Sequence, residues 1–139
     1  MQSTLFNEPP TKEQQKAEIM EQLKIQPKTS MGPYKGFSGH QRMACHTLIL
    51  KAVSDGLIPP ATECNRCHQK QGILQYHNED YDQYMDVERL CWRCHMILHS
   101  ERRCPVACAK YWEAIAHGAC WPAVHRHDFG ILARDHGIY

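Results

Sequence analysis

Two cysteine pairs with the same short spacing, Cys64-Asn-Arg-Cys67 and Cys91-Trp-Arg-Cys94, are the residues of this chain best suited to chemistry. A C-x2-C turn puts two thiolates on one side of a tight loop, and two such turns close a tetrahedron around zinc at sulfur distances of about 2.3 Å. Twenty-three residues lie between the pairs, enough for a strand, a connection and a second strand, and slightly more than the common zinc-ribbon spacing. The pattern predicts a structural zinc on Cys64, Cys67, Cys91 and Cys94. His68 and His95, each directly after a cysteine, are the alternatives for replacing a neighbour as ligand. Structural zinc is worth about 10–16 kcal/mol in finger peptides, comparable to the whole stability of an ordinary domain.

A second set of ligands is made of nitrogen. His95 and His99 are four residues apart and project from one face of a helix, the spacing by which two imidazoles share a metal. His77 ends a preceding strand and faces that helix if two strands form a hairpin packed against it. A cluster of His77, His95 and His99 would leave positions open for water and phosphate oxygens, as a catalytic ion requires and a structural one does not. The competing use of such histidines is to hydrogen-bond carboxylates or backbone beside the knuckle.

These residues need elements to position them. Gly72–His77 reads as a strand and a second short strand is expected near Val87, with an acidic, solvated connection between them that carries no Lys or Arg. The segment 91–103 reads as a helix entered through the cysteine turn, with basic residues in its last turn. Upstream, 11–24 suits one short surface helix. A linker rich in proline and glycine follows, and Ser38 caps a helix running to about Asp55 with Gly56 as its stop. Downstream, a helix is expected from Pro105 to His117, and the tail from Trp121 shows no period. The fold class is therefore α+β, a small zinc-bound core with flanking helices. It divides into an N-terminal helix and linker (1–36), a helix plus zinc-stapled core (37–103), and a C-terminal helix and tail packing on the core (104–139).

Composition narrows the class further. The chain has 139 residues, 42% hydrophobic and 22% charged, which fits one ordinary domain and argues against wholesale disorder. A net charge of +1 supplies no overall field toward nucleic acid or membrane, so polyanion binding must be local. No basic region followed by an apolar run opens the chain and no long apolar stretch occurs, so the expectation is a soluble cytoplasmic protein without a membrane partner. In a reducing compartment its 8 Cys are better explained as metal ligands and buried thiols than as disulfides.

His77-Asn-Glu-Asp-Tyr81 followed by Leu90-Cys-Trp-Arg-Cys94-His95-Met-Ile-Leu-His99 resembles the zinc-stapled HNH, or His-Me finger, nucleases of phages and mobile elements. The resemblance covers roughly 64–103, under a third of the chain. It implies a ββα-metal core, a hairpin and a helix clamping a divalent ion such as Mg, Mn or Ni, inside a treble-clef-like zinc scaffold. The implied catalytic positions are His77, Asn78, His95 and His99. In the family, two adjacent strand histidines bind the metal and deprotonate water; here the pair is His77-Asn78, and an amide cannot accept a proton near neutral pH. Either Glu79, Asp80 or another histidine substitutes, or the register shifts so that His77 is the base, or the domain binds DNA without cutting.

The implied activity is metal-assisted hydrolysis of DNA, as an endonuclease or nickase, in a bacterial host cell if phage-encoded. Arg42, Arg93, Arg102 and Arg103 are candidate backbone contacts, the last three equally readable as solvated surface charge. The competing class is a degenerate zinc protein that docks on DNA or a protein partner, as a host-takeover or anti-defence factor; a third is a zinc adaptor that binds protein alone. The glycine- and aromatic-rich 32–42 is a plausible phosphate or base contact or simply a capped helix entry. Cys104, Cys108, His117, Cys120, His125 and His127 could be imagined as a second zinc site, with packed thiols as the default. Nothing calls for an organic cofactor.

Overall fold

A computed structural model describes residues 8–138; the first seven residues of the expected N-terminal segment, and Tyr139, lie outside the described residues. The described chain is α+β: helices α1 (Lys12–Ile25) and α2 (Gly39–Ser54), strands β1 (Leu74–His77) and β2 (Glu88–Cys91), then α3 (Trp92–Ser100), α4 (Pro105–Ala116) and α5 (Phe129–His136). Among the described residues no helix is long and apolar enough to cross a membrane. The described residues form two compact units, one of 8–60 with 78–87, the other of 61–77 with 88–138.

In the first unit α1 and α2 pack on each other and bury Ile19, Ala44, Cys45, Leu48, Ile49 and Ala52. Thr11 and Gln14 close a capping box at the start of α1, and the Ser38 hydroxyl accepts the Gln41 N–H at the start of α2, as its sequence position predicts. Helix α2 clusters with α1, whose packing covers apolar residues of α2. Segment 78–87 belongs here too. Tyr84 donates to the Glu18 carboxylate at 3.0 Å, and the Met85 N–H bonds to the buried Gln15 side chain at 2.9 Å.

In the second unit β1 and β2 are antiparallel, pairing Leu74 with Cys91, Gln75 with Leu90, Tyr76 with Arg89 and His77 with Glu88. Helix α3 follows β2 directly and packs on both strands. The core gathers Leu90, Trp92, Ile97, Leu98, Tyr111, Val124, Leu132 and Ile138 around the four knuckle cysteines. Gly72 is needed where β1 begins: its φ is +74°, and a Cβ there would collide with the Val124 carbonyl.

The tail without visible period contains α5. Its eight residues are too few for a periodic signal, but its ends follow ordinary rules. Asp128 caps the start by accepting the Gly130 N–H, and Gly137 ends it in the left-handed region at φ +68°.

Candidate metal centres

The first knuckle is tied to the second through the sheet. Asn65, inside the first cysteine turn, donates its N–H to the Arg89 carbonyl at 2.7 Å and accepts the Arg89 N–H at 2.7 Å on its side chain. Arg66 adds a two-pronged ion pair to Glu88 at 2.6 and 2.9 Å while lying over the Trp112 ring. Cys91, the last residue of β2, is also the N-cap of α3, where its sulfur accepts the Cys94 N–H at 3.4 Å. The positive end of a helix and a donated N–H both favour a thiolate at that position.

Cys64, Cys67, Cys91 and Cys94 are all buried, and their four sulfurs lie within 4.8 Å of one another. The Cys67 and Cys91 sulfurs are 3.6 Å apart. Zinc–sulfur bonds of about 2.3 Å in a tetrahedron give an edge of about 3.8 Å, so the spacing fits such an ion. Hydrogen bonding from Cys67 first, then Cys91 and Cys94, holds Cys64 well below the usual thiol value. Four thiolates this close repel one another unless a cation neutralises them. The Tyr111 hydroxyl sits 3.0 Å from the Cys94 sulfur. Burial first, and then the Cys94 charge, pushes Tyr111 far above the ordinary phenol value, so it keeps its proton and is the donor to a Cys94 thiolate. His68 is not a ligand. It occupies the left-handed region at φ +66° as the knuckle closes, and its side chain is 72% exposed.

His77, His95 and His99 form the second cluster, their ligand nitrogens also within 4.8 Å of one another. His77 arrives from the end of β1, and one turn of α3 separates His95 from His99. His95 Nε2 is 3.3 Å from His77 Nδ1 and 3.0 Å from His99 Nε2. Metal–nitrogen bonds of about 2.0–2.1 Å in a tetrahedron require nitrogen separations of about 3.4 Å, close to those observed. Three imidazoles suit zinc, copper, iron or nickel, whereas magnesium prefers oxygen. His77 is only 2% exposed, so the cluster is walled on the strand side. Gln75 faces it too: its Oε1 is 2.7 Å from His95 Nδ1. Gln75 was not singled out by sequence, although its place two residues before His77 puts it on the same strand face.

The remaining candidates are distributed differently. Asn78 is buried, and its Nδ2 donates to the Gln83 carbonyl at 3.2 Å and the Asp86 carbonyl at 3.0 Å, bracing the loop it opens. Glu79 pairs with Lys35 at 2.8 Å, and Asp80 accepts the Asp82 N–H at 2.9 Å.

Arg93, expected as a surface contact for nucleic acid, is instead inside. It is 4% exposed and donates to Asp135 at 2.9 Å and to the Pro122 carbonyl at 3.0 Å, which anchors α5. Arg102 and Arg103 are exposed. Arg42 is half-buried, donating to the Gly32 carbonyl at 2.6 Å and lying over the Tyr34 and Tyr81 rings, so segment 32–42 is braced from within. Among the described residues Cys104, Cys108, His117, Cys120, His125 and His127 do not gather into a ligand set. Cys108 is buried against the Ile97 carbonyl.

No family model matches this chain, and no curated protein or solved structure matches it.

Proposed function

We propose that this chain is an HNH-like, metal-dependent DNA endonuclease or nickase of phage or mobile-element type, acting in a bacterial cytoplasm. In this reading the four cysteines staple a treble-clef scaffold and the three histidines hold the working ion. The observation that carries it is the meeting of three imidazole nitrogens from a hairpin strand and the helix that follows, in the same unit as a separate four-cysteine cluster. A divalent ion bound by His77, His95 and His99 would supply stabilisation of negative charge on a phosphate and its leaving oxygen.

The chain's own residues do the rest. β1 and α3 fix the three rings, and burial of His77 keeps water off one side of the cluster. Arg102 and Arg103, at the C-terminal end of α3, are exposed cations able to hold a phosphate backbone. Asn78 takes no proton, because an amide is not basic near neutral pH, and its Nδ2 donates to the carbonyls of its own loop. Loss of a general base typically costs 10²- to 10⁴-fold in rate, so slow cleavage is expected.

That same buried amide favours a second reading, a degenerate relative that binds DNA or a protein partner without cutting. Cleavage of supercoiled plasmid with Mg²⁺, Mn²⁺, Ni²⁺ or no added ion, beside a His95→Ala/His99→Ala variant, separates the two. A nuclease nicks with an ion, most strongly with nickel given the nitrogen donors, and the variant does not. A folded, zinc-loaded protein that fails to cut with any of these ions is the non-cutting form. Salt-sensitive DNA binding then identifies a DNA-docking module, and its absence a protein adaptor.

A further inference from the structure

The geometry points to Gln75 as the positioning residue of the histidine cluster: it fixes His95 in the Nδ1–H tautomer and so turns the Nε2 lone pair toward His77 and His99. A neutral imidazole has one N–H and one lone pair, and the partner of one nitrogen decides what the other presents. Gln75 Oε1 lies 2.7 Å from His95 Nδ1, and a carbonyl oxygen can only accept, so the ring proton belongs on that side. The opposite nitrogen is the one that both other rings approach, at 3.3 and 3.0 Å.

The backbone makes this placement reproducible. Gln75 and His77 are alternate residues of β1 and share a face, and Gln75 is held in register opposite Leu90. His95 stands on the first turns of α3, which packs on that strand. One strand thus supplies both a ligand and the orienting group of a ligand that comes from the helix. A second shell of this kind commonly contributes 10- to 100-fold in metal affinity.

The inference rests on the reading of the three histidines as a metal centre, and the test keeps the two apart. Full-length wild type, Gln75→Glu and Gln75→Leu are compared, each first shown to retain one zinc equivalent and an unchanged far-UV spectrum. Long-range ¹H–¹⁵N correlation of the histidine rings without added second ion reads the His95 tautomer directly. The Nδ1–H form is expected in wild type and in Gln75→Glu, whose carboxylate is also an acceptor, and a tautomer mixture in Gln75→Leu. Titration with nickel against a chelator is then expected to show about 10- to 100-fold weaker binding in Gln75→Leu and full rescue in Gln75→Glu. An Nε2–H tautomer in wild type, or nickel affinity unchanged in Gln75→Leu, overturns the role of Gln75 alone. A wild type that takes up no nickel overturns the metal centre and this role with it.

Discussion

A phenol buried against a sulfur that carries charge is most useful as a donor, and Tyr111 is placed to be one. Its hydroxyl reaches the Cys94 sulfur at 3.0 Å, and burial raises the cost of losing its proton. Such a bond draws charge from the thiolate and steadies its position without adding a ligand. Tyr111→Phe keeps the ring packed on Trp121 and removes only that bond. The variant is expected to hold zinc about 10-fold more weakly than wild type in competition with a chelator, read by a colorimetric zinc indicator. Unchanged transfer would show that the hydroxyl is there for packing. Cys45 marks the contrast: burial, then Asp80 and Asp82, pushes its thiol up to about 12, so this cysteine is an inert core group.

Loop and helix ends, being short, depend on single polar side chains. The loop after β1 is held by Asn78, whose amide satisfies two carbonyls. Asn78→Ala leaves them without that donor in a buried setting, at a cost of about 2 kcal/mol, measurable as a lower urea midpoint at unchanged slope. Helix α5 is docked by the buried Leu132 and by Arg93, which bonds to Asp135 and to His136 at 3.0 Å. Burial first, then the Arg93 charge, lowers His136 from 6.5 to about 4. The fold therefore favours the neutral ring. Its contribution is complete above about pH 6.5 and is lost as pH falls through about 4. Asp135 is held below the usual carboxylate range, first by Arg134 and then by Arg93, and adds to the loss at still lower pH. Calorimetry is expected to show a melting temperature that is level near neutrality and declines across that window, and a shallower decline in His136→Phe. Equal slopes in the two proteins would remove His136 from the explanation.

At the scale of the whole molecule, a metal held by the four cysteines would decide whether the second unit has a core. Its four sulfurs occupy the centre where hydrophobic side chains would otherwise meet, and structural zinc contributes about 10–16 kcal/mol in small fingers. All three tryptophans, Trp92, Trp112 and Trp121, belong to this unit, so fluorescence reports on it alone. Strong chelation is expected to red-shift the emission and lower the melting temperature, with zinc restoring both; an unmoved spectrum in zinc-free protein would contradict the site. Local chemistry was legible in the chain itself, because it depends on neighbours close in sequence. The C-x2-C pairs, the i,i+4 histidines, the Ser38 cap, Pro105 as the first residue of α4 and an α+β class all follow from short-range spacing. Helix α5 escaped because eight residues carry too little period. The partnership of α2 with α1, the burial of Arg93 and the facing of Gln75 to His95 were decided only by tertiary structure. Each depends on which surface a distant segment covers, and a charge or amide reads the same in sequence whether water or another side chain ends up beside it.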